Sequence, residues 1–165
     1  MTLPDKATPR AYFLTFSTYG ARLHGDDRGT IDRAHNEFGT PRLGCDEERR
    51  TREAREVGIP VSFMNDEIRV LDRTVREVCS HRDWALLALN VRRQHVHVVL
   101  ATADPPEKAI ADLKAWSTRR LVEAGLQQRG ARLWARHGST RYLWTLSDVE
   151  GAVFYVANLQ GAPLG

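Results

Sequence analysis

Two histidines one residue apart, His95 and His97 in QHVHVVLATA, carry the spacing that most directly implies chemistry. Strand side chains alternate between faces, so this pair shares one face with its Cα atoms about 6.5–7 Å apart. Imidazoles so placed converge on one cation and leave positions open for a third ligand, water or phosphate oxygens. Val96, Val98 and Leu100 then face the core and give the pair a rigid backing. The other reading of an HxH pattern is two strand histidines hydrogen-bonded at a sheet surface. A second reactive group is Tyr155 in AVFYVANLQG. At about 100° per residue from Val149 it falls at the edge of an apolar helical stripe, where its phenol can turn toward a cleft. A phenol attacks phosphate when its oxygen is activated and the phosphoryl charge is neutralised; the plainer role is packing against a sheet edge.

Two other HxH chemistries fail on the residues that follow. Histidine-triad nucleotide hydrolases need a third alternating histidine, and the chain has Val99 there. Metallo-hydrolases with HxHxDH need Asp and His immediately afterwards, and Val99 and Leu100 supply neither.

The elements that must position these groups follow from periodicity. Residues 11–18, AYFLTFST, are β-branched and aromatic and read as a first strand. From Tyr19 to about Pro60 no period is legible, although Asp46–Glu56 has the charge pattern of one short helix. Asp66 is the expected N-cap of a helix to about Arg82, with Ile68, Leu71, Val75 and Val78 on one face. Trp84–Val91 is apolar on both faces, as a central strand would be. Gln94–Ala103 follows after Arg92–Arg93, a separation that suits a hairpin. Asp104-Pro105-Pro106 starts a helix to about Ala124 with Ile110, Leu113 and Leu121 inward. Residues 132–144 read as a further strand. Ser147 is the expected cap of a last helix, with Val149, Ala152, Val153 and Val156 inward and Gly161 at its end. This order predicts one α+β domain over residues 1–165, a ferredoxin-like antiparallel sheet with helices packed on it.

The chain has 165 residues, 42% of them hydrophobic, enough for a real core. It contains no apolar run of membrane-spanning length, and MTLPDKATPR has no secretory h-region. Cys45 and Cys79 sit in no paired spacing and read as reduced filler in a cytoplasmic protein. Net charge is +3, but unevenly spread: residues 1–83 carry 14 Lys/Arg against 15 Asp/Glu, and residues 84–165 carry 10 against 6. Between Lys114 and Arg141 stand seven basic residues and a single acid, Glu123. Such a stripe suggests a polyanion surface, against the alternative of a solvated basic helix face.

His95-Val96-His97 on a strand, then a helix, then Tyr155 near the end of a second helix resembles the HUH class of single-strand DNA endonucleases. Within it the chain resembles the single-tyrosine transposases of insertion sequences and the REP-associated tyrosine transposases. YFLTFSTYGARLHGDDR (Tyr12–Arg28), LWARHGSTRYLW (Leu133–Trp144) and Phe154-Tyr155-Val156 carry that likeness, which spans nearly the whole chain; residues 35–65 are its least informative part. The resemblance implies an HUH endonuclease fold. His95 and His97 would hold Mg²⁺ or Mn²⁺ on the scissile phosphate. Tyr155 would form a 5′-phosphotyrosine link and free a 3′-hydroxyl, a link that keeps the phosphodiester energy for strand transfer.

It also implies a third ligand, an amide one turn after the nucleophile, where this chain has Leu159. Asn158 lies about 60° from Tyr155 on a regular helix, and Gln160 lies about 140° away unless the helix loosens. Arg92, Arg93, Lys114, Arg119, Arg120, Arg136 and Arg141 are the residues expected near phosphates. Trp116 and Trp134 suit base stacking by type, although tryptophans in amphipathic surroundings are more often core. The expected partner is single-stranded or hairpin DNA rather than a membrane. The site can form within one chain or across a homodimer. The competing function is a hairpin-binding protein whose catalysis has lapsed. An RNA-binding ferredoxin-like domain fits less well, because it wants exposed aromatics where this chain has His95 and His97.

Overall fold

The computed structural model describes residues 8–21 and 59–159. The expected helix over Asp46–Glu56, Cys45 and the stop at Gly161 lie outside the described residues. Strand β1 is Ala11–Thr18, helix α1 Asn65–His81, strand β2 Ala85–Val91 and strand β3 His95–Ala101. Helix α2 is Pro106–Glu123, strand β4 Trp134–Leu143 and helix α3 Leu146–Phe154, which runs on as a π-turn over Tyr155–Leu159. The four strands form one antiparallel sheet in the order β2-β3-β1-β4, the ferredoxin-like arrangement expected.

Alternation divides the sheet into two unlike faces. Leu14, Phe16, Val96, Val98 and Leu100 point to one side and are closed over by Ile68, Leu71, Val75 and Val78 of α1 and by Ile110, Leu113 and Leu121 of α2. Cys79 belongs to this core, and its burial pushes the thiol up to about 11. On the other side a smaller cluster of Ala11, Val99, Leu143, Ala152 and Val156 seats α3 and the π-turn. That second layer covers Val99 fully and leaves His95 and His97, earlier on the same strand and face, half-buried.

Three expectations change. β2 is an edge strand, not a central one. Its two-sided apolarity arises because α1 covers one face while the π-turn packs near the other, so lateral position in the sheet leaves no mark on the pattern. The cap of α1 is Met64, not Asp66: the Glu67 carboxylate accepts from Met64 N–H at 2.7 Å, and Asp66 falls in the first turn. The cap of α3 is Thr145, not Ser147. Thr145 Oγ1 accepts from Asp148 N–H at 3.0 Å while the Asp148 carboxylate accepts from Thr145 N–H at 2.9 Å. Such a reciprocal box contributes about 1 kcal/mol and fixes where the tyrosine-bearing helix begins.

Lys114 ties α2 to β4. Its Nζ donates to Ala135 O at 2.8 Å and His137 O at 3.2 Å, above the Phe16 ring. Burial pulls its ammonium down to about 8. With the folded value depressed, the unfolded chain holds more protons between about pH 8 and the ordinary lysine value, so Lys114 makes stability rise with pH across that window. Urea unfolding at pH 7.5 and pH 10 tests this. The change for wild type minus that for Lys114→Met is expected to be positive and of order 1 kcal/mol after solvent screening. A zero or negative difference would show that Lys114 stays charged.

Candidate functional site

The register of β1, β2 and β3 assembles the site. Thr15 on β1 and Asn90 on β2 both stand opposite His97, and Phe13 stands opposite Val99. Phe13, Thr15, His95 and His97 therefore share the face that carries α3. The histidine rings lie nearly parallel, 21° apart, with centroids separated by 6.0 Å. Thr15 Oγ1 and His97 Nδ1 share a hydrogen bond at 3.1 Å. In the tautomer that donates from Nδ1, Nε2 keeps its lone pair for a ligand.

Tyr155 comes to this face from the other layer. It is 40% exposed, and its ring meets Phe13 edge-on at 5.9 Å. Phe13 in turn lies 6.1 Å from the His97 ring. The Tyr155 and His97 rings thus both neighbour Phe13, although they are far apart in the chain.

The family model described as "Transposase IS200 like" matches residues 61–147, a segment that includes both histidines and stops short of Tyr155. The chain belongs to the IS200-like transposase family. Among solved structures, a REP-associated tyrosine transposase bound to a REP hairpin is similar at 12% identity and a TM-score of 0.50, covering 94% of this chain and 70% of that one. A candidate transposase from Deinococcus radiodurans matches at 18% identity and a TM-score of 0.46, covering 98% of each chain. At these identities the first likeness supports the fold. No curated protein matches the chain.

In this IS200-like chain the other expected site residues separate. Asn158 is exposed, and its Nδ2 donates to Phe154 O at 3.0 Å, so the amide nitrogen is turned back on its own helix. Gln160 lies outside the described residues. Among the described residues no group of three or more His, Cys, Asp or Glu is placed to hold a metal ion, so the histidine pair is a partial donor set. Two imidazoles backed by a packed strand fit a cation whose remaining positions go to phosphate oxygens and an amide.

The basic residues divide as well. Arg92 and Arg93 occupy the connection into β3. Arg92 N–H donates to His95 O at 2.7 Å, and Arg93 donates to Phe63 O and Asn65 Oδ1. Arg141 is exposed on β4 directly opposite Phe13, on the histidine face, and its charge is among those that lower the Asp148 pKa. Arg136 is exposed on the same strand. Arg119 lies over the Trp116 ring, 5.7 Å from its centroid. Arg120 is bonded to Glu77 and Glu123, which raise its pKa, and Lys114 serves the fold. The two tryptophans pack within the protein: Trp134 packs on Phe16 and Phe63 and donates to Thr118 Oγ1, and Trp116 lies against His81 and the two arginines.

Among the other tyrosines, Tyr19 lies beneath the Arg132 guanidinium at 4.1 Å. Tyr12 is buried and Tyr142 packs edge-on against it at 5.2 Å. Sequence reasoning missed Phe13, Thr15 and Asn90. The first two carry a usable signal, because alternation from buried Tyr12, Leu14 and Phe16 assigns them to the opposite face. Gly138 on β4 permits this placement: a Cβ there would meet Thr15 O at 2.8 Å.

Among the described residues no helix is long and apolar enough to cross a membrane.

Proposed function

We propose that the protein is a single-strand DNA endonuclease and strand transferase acting on hairpin-containing DNA. Tyr155 is its nucleophile, and His95 and His97 hold Mg²⁺ or Mn²⁺. The observation that carries this reading is that the rings of Tyr155 and His97 both lie within 6.1 Å of the Phe13 ring, on the sheet face that carries the histidine pair. Family membership supports transposition chemistry, and the similar REP-associated transposase was solved with a REP hairpin. In the first step the Tyr155 oxygen attacks phosphorus, its proton passes to solvent, and the bond to the 3′-oxygen breaks. A 5′-phosphotyrosine and a 3′-hydroxyl result. A second 3′-hydroxyl reverses the step at another end, so the energy of the phosphodiester is conserved. When bound, the cation offsets charge developing on the phosphate. We assign Arg141, exposed on β4 opposite Phe13, to the flanking phosphate.

We take the third ligand to be an amide from Asn158 or Gln160. A second reading, hairpin binding without cleavage, is favoured by the Asn158 amide being engaged with Phe154 O.

One experiment separates the two. A 3′-labelled single-stranded hairpin library is incubated with protein and Mn²⁺, and denaturing gels are searched for protein-linked DNA, because a 5′-phosphotyrosine retains the strand on the 3′ side of the cut. A covalent adduct is the expected result; binding without any adduct establishes the second reading. The cationic surface has its own test. Binding should weaken with salt at a log–log slope of about −0.7 per single-strand phosphate contacted. Arg141→Ala is expected to flatten the slope by about one such unit, and Arg120→Ala, already held by two carboxylates, to leave it unchanged. The reverse ranking would move the DNA onto the α1–α2 layer.

A further inference from the structure

We infer that Asn90 is a positioning residue for the nucleophile, setting the rotational phase of the π-turn that presents Tyr155. This rests on the reading of Tyr155 as nucleophile. Asn90 is the one polar side chain in β2, ALLALNV, and is 2% exposed. A buried amide in an apolar strand costs stability unless its polar atoms are bonded. Its Nδ2 donates to Val156 O at 3.1 Å. That carbonyl belongs to the residue after Tyr155, and Asn90 stands directly opposite His97 in the β2–β3 pairing. One side chain thus joins the strand position beside the metal-ligand candidate to the backbone beside the nucleophile.

The need for such a tie follows from what surrounds it. The second layer is seated on Ala11, Val99, Leu143, Ala152 and Val156, all small or aliphatic. Contacts of that kind resist separation but allow the helix to rotate and slide, because dispersion has little directionality. A hydrogen bond to one backbone carbonyl is directional and fixes the phase. The turn that it holds is π-helical, a form rare in proteins and less regular than the α-helix that precedes it. With the phase fixed, the Tyr155 ring meets Phe13 beside His97.

Asn90→Leu keeps the branched shape of the side chain, at a larger volume, and removes the donor; Asn90→Ser is the second variant, should the first fail to fold. Four measurements are made on the full chain: hydrogen exchange by peptide, Mn²⁺ affinity, hairpin affinity, and the single-turnover rate of adduct formation at saturating DNA. The expected result is faster exchange confined to residues 153–159, Mn²⁺ affinity and hairpin affinity within twofold of wild type, and an adduct rate at least tenfold lower. A merely structural role would instead lower both affinities and the adduct rate together and raise exchange in β2 and β3. Unchanged exchange in 153–159, or an unchanged adduct rate in a variant whose exchange there has risen, overturns the inference. If wild type forms no adduct, the nucleophile reading fails by itself, while the exchange pattern still decides whether Asn90 holds the turn.

Discussion

Replacing Tyr155 by phenylalanine is expected to eliminate covalent attachment of DNA, with a loss of adduct-forming rate of at least ~10³-fold. The ring of the variant keeps the edge-on contact with Phe13, so the second layer loses nothing but a half-exposed hydroxyl. Stability should stay within about 0.5 kcal/mol of wild type and hairpin affinity should be unchanged, because Arg92, Arg93 and Arg141 are untouched. The competing phenols are disfavoured by their surroundings: Tyr12 is buried, Tyr142 packs on it, and Tyr19 lies under Arg132. Peptide mapping of a trapped adduct checks the assignment directly. A nucleotide on Tyr19, or full cleavage by Tyr155→Phe, would remove the nucleophile from the proposed site and with it the function of the Phe13 contact.

The second large effect concerns the histidine pair. His97→Ala is expected to slow cleavage by ~10³-fold, the equivalent of the several kcal/mol of charge stabilisation that a metal supplies at a phosphate. The fold should tolerate the change. His97 is half-buried at the open end of its face, and its hydrogen bond to Thr15 contributes about 1 kcal/mol. EDTA should abolish cleavage reversibly, with activity restored by Mn²⁺, while the unfolding midpoint moves little. Cleavage that persists undiminished in EDTA would take the cation out of the mechanism. A His97→Ala variant that cleaves normally would leave the pair as two sheet-surface histidines.

Much of this molecule is legible in the amino-acid order. The alternation in AYFLTFST and HVHVVLA fixes which residues face α1 and α2, and the core bears it out at Leu14, Phe16, Val96, Val98 and Leu100. Period 3.6 locates the buried faces of α1 and α2, and the Pro105-Pro106 start of α2 is visible in the residues themselves. His95 and His97 on one face follow from the same alternation. These properties are local: each depends on neighbours within a few residues, where φ/ψ sterics and side-chain spacing act.

The lateral order of the strands is not local, and the sequence is silent on it. Two-sided apolarity in ALLALNV suits a central strand, yet β2 lies at the edge, because a helix and a π-turn from distant parts of the chain cover its faces. Cap positions slipped by two residues at both α1 and α3, since Asp66 and Ser147 have capping side chains but Glu67 and Thr145 make the bonds. The π-turn at Tyr155 shares a cluster with Val99 and accepts a hydrogen bond from Asn90 at Val156 O, contacts that do not show in AVFYVANLQG. Residue types and spacing determined which groups can do chemistry here. Only the tertiary structure decided that Tyr155 and His97 both meet Phe13 while Lys114 and Arg120 are held within the fold, because those distances are set by how two layers seat on opposite faces of one sheet.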